Sequence, residues 1–182
     1  MALNAIPAHA EVVIIGGGVI GTSCAFHLAE AGVGDVVLIE RDSLGSGSTC
    51  KAVGGVRSSF TNRANIEIGL RSLEAYSRFA ERPGQDIDLK RVGYLYLISR
   101  AEDVAAFESG VALQNSLGVQ SRMIEPSEAE RLSPLIDTDG LLAAAWSPRD
   151  GTASPESVVL GYATGARRST WANSLGSHSS GS

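Results

Sequence analysis

The sequence predicts an α/β fold whose central sheet is mostly parallel, and three observations predict it. A short β-branched run at residues 11–15 stops at a cluster of glycines. Helix-forming residues follow at 19–31, and a second apolar run at 36–40 comes next. A strand, a glycine turn, a helix and a second strand within about 30 residues form a βαβ unit, whose two strands run parallel.

Six further elements are predicted after a Gly- and Ser-rich loop at residues 41–60, whose length is typical of functional or disordered segments. Apolar spacing, strand-forming runs and turn residues place them. The first is a helix that is capped by Asn62, carries Ile66, Leu70, Leu73 and Phe79, and ends before Pro83-Gly84. A strand at 92–98 follows, and then a helix that begins with a capping box from Ser99 to Glu102. The remaining three are a strand at 119–124, a helix at 125–132 and a strand at 141–146.

The last predicted element is a helix at residues 154–168. Ser154 is a suitable cap, Pro155 suits the first helical position, and Glu156 suits the positive end of the helix. Residues 169–182 are rich in Ser and Gly and show no periodicity, so we expect a disordered tail.

The bulk composition argues against several functional classes. The chain has 182 residues and a formal net charge of −5, whereas nonspecific nucleic-acid binding needs a basic surface. Cys24 and Cys50 are too few for a disulfide scaffold and lack zinc spacing, so we expect a reducing, cytoplasmic setting and no metal site. Residues 1–10 carry no export signal, and glycines interrupt the apolar run at 12–28, so we expect no membrane span.

The turn between the first strand and the first helix predicts a dinucleotide site. It reads Gly16-Gly17-Gly18-Val19-Ile20-Gly21 and fits the Rossmann-like pattern G-x-G-x-x-G in the required strand-to-helix context. The first glycine makes the tight turn, the second lets the backbone approach a pyrophosphate, and the third lets helix and strand pack closely. The amides near Val19 and Ile20 lie at the helix N-terminus, where orphan N–H groups favour phosphate.

Glu40 ends the second strand about 20 residues after this turn, where an acidic residue is expected in dinucleotide sites. Its carboxylate can accept hydrogen bonds from ribose hydroxyls, and it would repel the 2′-phosphate of NADP. The alternative is a glutamate at a strand end that faces solvent.

With these motifs in view, the chain resembles the D-amino-acid oxidase-like FAD-dependent oxidoreductases, in the branch of the sarcosine oxidase beta subunit and dimethylglycine dehydrogenase. Three stretches carry the resemblance: residues 12–41, GSGSTCKAVGGVRSSF at 45–60, and DGTASPESVVLGYATGARR at 150–168. The resemblance implies oxidation of the C–N bond of a small secondary or tertiary amine or amino acid such as sarcosine, with FAD as cofactor.

The resemblance also implies roles for single residues. Glu40 and Arg41 would hold the adenosine ribose region, and Ser48 and Thr49 would contact the pyrophosphate. Lys51 would begin the segment beside the isoalloxazine ring. Because Lys51 stands where some relatives carry a histidine that is linked to the flavin, we expect noncovalent FAD.

Three further residues each have two interpretations. Cys50 is either a thioether link to flavin or a small packed cysteine. Arg57 either binds a substrate carboxylate or reduced flavin through its guanidinium, or is an ordinary surface arginine. His27 is expected to pack in the first helix rather than to take part in chemistry.

Family members are longer than this chain, so the resemblance implies a truncated protein. Its expected parts are the first part of an FAD-binding domain at 1–88, a partial α+β substrate domain with antiparallel strands at 89–149, a helix at 150–168 that returns to the FAD domain, and the tail at 169–182. No catalytic residue can be assigned, because the resemblance implies that these residues lie in the absent half. The expected partners are a small amine or amino-acid substrate and a partner subunit.

Two other functions compete with this interpretation. A noncatalytic FAD- or nucleotide-binding fragment agrees with the truncation. An NAD-dependent dehydrogenase agrees with Glu40, but the Ser/Gly-rich segment after Arg41 favours FAD.

Overall fold

The computed structural model describes the backbone of residues 7–176 and the side chains of residues 7–169. These residues divide into two compact units, the first made of residues up to Val53, Phe79–Ile87 and the residues from Ser154 onward, the second of Gly54–Arg78 and Asp88–Ala153. The elements in chain order are β1 (Val12–Ile15), α1 (Val19–Glu30), β2 (Val36–Ile39), a 3₁₀ turn (Thr49–Lys51), β3 (Gly55–Val56), α2 (Arg63–Ser77), β4 (Tyr94–Ile98), α3 (Ala101–Ser116), β5 (Arg122–Ile124), α4 (Pro126–Leu132), β6 (Ala143–Ser147), β7 (Gly151–Thr152) and α5 (Pro155–Gly176).

The first unit contains the predicted βαβ unit. Strands β1 and β2 pair in parallel, with Val12 opposite Val36 and Ile15 opposite Ile39. Helix α1 ends at Glu30, and Gly32 follows it with φ +88°, the left-handed conformation that favours glycine after a helix. The prediction of a strand, glycine turn, helix and strand is therefore confirmed.

Helix α5 packs against α1 through aromatic rings and glycines. The Tyr162 ring lies 5.5 Å from the Phe26 ring and 4.8 Å from the Phe79 ring, measured between centroids. A Cβ atom at Gly165 would lie 2.8 Å from the Phe26 ring, and one at Gly161 would lie 2.5 Å from the Phe79 ring. These glycines let the helix approach closely, so the core of this unit lies between α1, α5 and Phe79.

Helix α5 begins as predicted but continues past the predicted end at residue 168. The Ser154 hydroxyl accepts a hydrogen bond from the Ser157 amide at 3.2 Å, which confirms the cap. The helix then continues to Gly176, so the expectation of a disordered tail is wrong for residues 169–176. No proline or glycine occurs between Arg168 and Gly176, and adding a residue to an existing helix costs little. Residues 177–182 of the predicted tail lie outside the described residues.

The second unit is built on an antiparallel sheet with the strand order β4-β6-β5. Tyr96 of β4 and Met123 of β5 both lie opposite Ala145 of β6. A small core of Ile124, Ala129 and Ala144 joins this sheet to α4. The unit also contains a short antiparallel pair, β3 with β7, which the sequence did not predict. Parallel pairing in the described residues is therefore confined to β1 and β2.

Two local predictions in the second unit had different outcomes. Asn62 caps α2, because its side-chain oxygen accepts a hydrogen bond from the Asn65 amide at 3.0 Å. The capping box at Ser99 is wrong: Arg100 is the N-cap of α3 and makes no capping hydrogen bond with its side chain. The carboxylate of Glu102 instead pairs with the Arg100 guanidinium, which removes it from the backbone amide that a capping box would need.

The two units also differ in their bounds from the predicted domains. Helix α2 ends at Ser77, so Phe79 does not lie on it but is buried in the first unit. Residues 54–78 group with the second unit, whereas the sequence placed them in the FAD-binding part. Among the described residues, no helix combines the length and apolar character needed to cross a membrane.

Candidate functional site

The glycine turn has a conformation that requires two of its glycines. Gly16 has φ +105°, and its amide donates to the Ile39 carbonyl at 2.8 Å, which joins the turn to the end of β2. A Cβ atom at Gly21 would overlap the Gly16 carbonyl oxygen and lie 3.3 Å from Ile14. The close packing of helix on strand that was predicted for Gly21 is therefore present.

Thr49 lies against the start of α1. The Val19 amide, in the first turn of α1, donates to the Thr49 hydroxyl at 3.1 Å. A Cβ atom at Gly18 would lie 3.0 Å from the same hydroxyl oxygen, which is tighter than ordinary contact. The fold thus brings the second motif glycine, the helix N-terminus and one of the two predicted pyrophosphate contacts to one place.

Glu40 is half-exposed, and its carboxylate is hydrogen-bonded to the glycine turn. One carboxylate oxygen accepts a hydrogen bond from the Gly17 amide at 2.6 Å, and the other accepts from the Asp42 amide at 3.1 Å. These two hydrogen bonds, the Gly17 bond foremost, lower the pKa of the Glu40 carboxyl below its ordinary value. The carboxylate is therefore ionised at neutral pH and sits at the edge of the turn.

The loop after β2 is ordered around the turn. The Gly45 amide donates to the Gly17 carbonyl at 2.9 Å, and the Cys50 amide donates to the Gly45 carbonyl at 3.1 Å. The side chains of three other predicted site residues are exposed and form no hydrogen bond or ion pair within residues 7–169: Arg41, Ser48 and Lys51. Glu40 and Thr49 are therefore hydrogen-bonded to the turn and to the first turn of α1, whereas these three side chains face solvent.

Cys50 is a half-buried thiol. Burial raises its pKa, and the nearby carboxylate of Glu156 raises it further. A Cβ atom at Gly45 would lie 2.5 Å from its sulfur, so the thiol packs tightly against the loop. A raised pKa disfavours the thiolate, which is the nucleophilic form.

The residues of the turn fit the pyrophosphate of a dinucleotide. Nothing lies within 4 Å of the position that a Cβ atom would take at Gly16, so one side of the turn is open. First-turn amides of a helix have no acceptor within the helix, and with the helix dipole they favour an anion. Glu40, beside Gly17, offers acceptors for ribose hydroxyls, as in dinucleotide sites.

The second unit holds a cavity of about 270 Å³ around Arg57. The Arg57 side chain donates to the Tyr96 hydroxyl at 2.8 Å. Its guanidinium carbon lies 4.9 Å from the centroid of the Phe60 ring and 5.4 Å from that of Tyr94. Within residues 7–169, Arg57 pairs with no carboxylate, so this half-buried cation is free to bind an anion.

Asp150 holds the loop that carries Arg57. It is fully buried, and its carboxylate accepts four hydrogen bonds. The amide and hydroxyl of Ser58 donate at 2.9 and 3.0 Å, and those of Ser59 donate at 3.3 and 2.6 Å. Because Ser58 follows Arg57 directly, this carboxylate determines the path of the backbone beside the cavity.

Two further hydroxyl groups that line the cavity are buried and form no hydrogen bond among the described residues: those of Ser121 and Ser147. The sequence indicated Arg57 but not these serines, Asp150 or Tyr96. A signal existed for Tyr96, because alternation along a strand places it on the same face as Tyr94. No local pattern marks the serines, since their role depends on which strands become neighbours.

Comparison with known proteins places these features in a family. The family described as DAO, FAD dependent oxidoreductase, matches residues 11–170. The chain is 38% identical over 161 residues to the mitochondrial dimethylglycine dehydrogenase of Rattus norvegicus and 31% identical over 151 residues to the mitochondrial sarcosine dehydrogenase of Mus musculus. It is similar in structure to the L-proline dehydrogenase of P. horikoshii, with a TM-score of 0.83 and 36% identity.

These matches cover most of the chain but only a part of each relative. The matches to the two mitochondrial dehydrogenases take in 88% and 82% of the chain but 19% and 16% of those proteins. The structural match takes in 90% of the chain and 43% of the proline dehydrogenase chain.

Proposed function

The chain belongs to the DAO family of FAD-dependent oxidoreductases, and we propose that it binds FAD noncovalently and takes part in oxidising the C–N bond of a small secondary or tertiary amino acid such as sarcosine. The observation that carries the proposal is the convergence of Gly18, Thr49 and Glu40 at the N-terminus of α1. When bound, FAD supplies the acceptor for the hydride equivalent that leaves the carbon beside the amine nitrogen.

In the proposed complex, the residues of the first unit bind and orient the adenine half of FAD. The first-turn amides of α1 and the Thr49 hydroxyl donate to the pyrophosphate, and Glu40 accepts from the ribose. The Val19 amide already donates to the Thr49 oxygen, which holds the hydroxyl in place and leaves its hydrogen to donate to a phosphate oxygen. Arg41, Ser48 and Lys51 remain predicted contacts, since their exposed side chains are free to turn toward the cofactor.

Noncovalent binding is supported by the groups near the turn. Residues 41–60 contain no histidine, and the raised pKa of the Cys50 thiol keeps it protonated at neutral pH. Thioether formation needs the thiolate, so Cys50 is better explained as a packing residue.

The amino-acid class of substrate is supported by the Arg57 cavity. A guanidinium without a carboxylate partner is suited to bidentate binding of a substrate carboxylate. The buried hydroxyls of Ser121 and Ser147 offer two more donors in the same cavity. Sarcosine, dimethylglycine and proline all carry a carboxylate beside a secondary or tertiary amine, and these names occur among the relatives.

The proposal is tested by purifying the 182-residue chain with FAD and following anaerobic flavin reduction by sarcosine, dimethylglycine, proline and glycine. We expect a yellow protein that releases all its flavin on acid precipitation. We expect sarcosine or another secondary or tertiary amine to reduce this flavin only slowly, because the resemblance implies that catalytic residues lie outside this part of the protein. Flavin that stays with the precipitate would overturn the noncovalent assignment. FAD binding without reduction by any amine would instead favour the noncatalytic FAD-binding protein, and binding of NAD without FAD would favour the dehydrogenase. A cytoplasmic location and a partner subunit remain predictions.

A further inference from the structure

The second unit contains another cavity, of about 380 Å³, which shares no lining residue with the Arg57 cavity. Three arginines from separate parts of the chain line it: Arg71 from α2, Arg91 from the segment before β4, and Arg149 from the turn between β6 and β7. Because the chain carries a net charge of −5, this cluster does not reflect a generally basic surface.

None of these three arginines forms an ion pair or a hydrogen bond through its side chain within residues 7–169. Other cations of the same unit are paired, as in Lys90 with Asp88. The carboxylate that lines the cavity is that of Glu74. Asp150, next to Arg149 in the chain, directs its carboxylate to the two serines that it holds.

Part of the cavity lining is buried, and some of it is apolar. Leu73 and Val119 are 7% and 2% exposed, and Ser58 is 1% exposed and bonded to Asp150. The three arginines that line the cavity are exposed to solvent. Their like charges repel each other unless an anion lies between them, and three guanidinium groups offer several paired donors for phosphate or carboxylate oxygens. The volume is in the range of small-molecule sites, which favours a compact ligand over an extended protein surface.

We propose that this cavity, named here the Arg71 cavity, binds a small polyanion that carries at least two phosphate or carboxylate groups. Arg71, Arg91 and Arg149 contact the anionic groups, and Leu73 and Val119 offer apolar contacts within the same cavity. Glu74 weakens the binding, because its charge faces the same space. This site goes beyond the proposed oxidation and does not depend on it.

The test is a calorimetric titration of the full chain with pyrophosphate and with citrate at low ionic strength. We expect Arg71→Gln, Arg91→Gln and Arg149→Gln each to weaken binding of both probes by about three- to tenfold, as for the loss of one ordinary hydrogen bond, because all three side chains are exposed to solvent. Glu74→Gln should tighten it. The matched control is Arg131→Gln, an exposed arginine of the same unit outside the cavity, which should bind like the unchanged chain.

The glycine turn of the first unit can also bind pyrophosphate, so the position of binding is measured by NMR. We expect both probes to shift the backbone amides of Gly118 and Val119, which line the Arg71 cavity. Arginine variants that keep the far-ultraviolet spectrum and bind both probes unchanged would overturn the proposal. Binding of a hexaglutamate peptide but of neither small probe would also overturn it, and would assign the cavity to an acidic protein segment.

Discussion

The backbone amide of Gly17 donates a hydrogen bond of 2.6 Å to the carboxylate of Glu40, 23 residues further along the chain. This bond connects the glycine turn directly to the end of the next strand. In the proposed complex, the same backbone would approach the phosphates and position the Glu40 carboxylate for the ribose. The proposed dinucleotide site is therefore organised by the chain itself, and the first four predictions concern residues of this site.

The Glu40 hydrogen bonds should make stability depend on pH. Backbone donors lower the pKa of Glu40 in the folded state, so its stabilising effect is present above its unfolded pKa and is lost as the pH falls through the folded pKa. We expect Glu40→Gln to lower the melting temperature at neutral pH, with the difference from the unchanged chain shrinking below about pH 4. Thermal melts of both proteins at neutral pH and below about pH 4 measure this. A difference in melting temperature that is the same at both pH values would contradict the prediction.

Glu40 should also contribute to cofactor affinity. We expect Glu40→Ala to weaken FAD binding roughly tenfold, because the ribose hydroxyls lose a charged acceptor. Titration of flavin fluorescence measures the affinity. Glu11→Ala, which removes an exposed carboxylate before β1, is the control and should bind FAD normally. If Glu40→Ala binds FAD as tightly as Glu11→Ala, the Glu40 carboxylate stabilises the glycine turn and does not contact the ribose.

Gly21 should be essential for the fold. A methyl group there would overlap the Gly16 carbonyl oxygen, so we expect Gly21→Ala to lower the free energy of unfolding by about 3 kcal/mol, the upper part of the range for overpacking. The control is Gly34→Ala, since nothing lies within 4 Å of the added methyl group there. Urea denaturation of both variants gives the comparison, and equal stability would show that the helix can move away from the turn.

Gly18 should matter for the cofactor more than for the fold. A valine side chain there would meet the Thr49 hydroxyl and fill the space of the pyrophosphate. We expect Gly18→Val to abolish FAD binding while the circular dichroism spectrum stays unchanged. Unchanged FAD affinity in a folded variant would show that the pyrophosphate lies elsewhere.

The sequence predicted the βαβ unit well because its determinants are local. The glycine pattern, the β-branched runs and Gly32 all act within a few residues of the elements that they define. The position of Glu40 followed from the same unit. By contrast, the bond between Val19 and Thr49 depends on how the loop folds back, which no periodic pattern describes.

The prediction for the tail was wrong and the role of Asp150 was missed, for different physical reasons. The tail was predicted to be disordered from its Ser and Gly content, yet α5 continues to Gly176, because a helix that already exists extends through residues of moderate propensity. The role of Asp150 was missed because its partners, Ser58 and Ser59, lie 92 and 91 residues earlier in the chain. Only the tertiary fold brings these groups together.

Asp150 therefore provides the last prediction. Asp150→Ala would leave the buried amides and hydroxyls of Ser58 and Ser59 without an acceptor, so we expect a loss of about 3 kcal/mol in the free energy of unfolding. Asp150→Asn should lose less, because its amide keeps one accepting oxygen. Asp139→Asn, at an exposed position, should change little. Denaturant unfolding of the three variants gives the order, and an Asp150→Ala chain as stable as Asp139→Asn would show that water replaces the carboxylate.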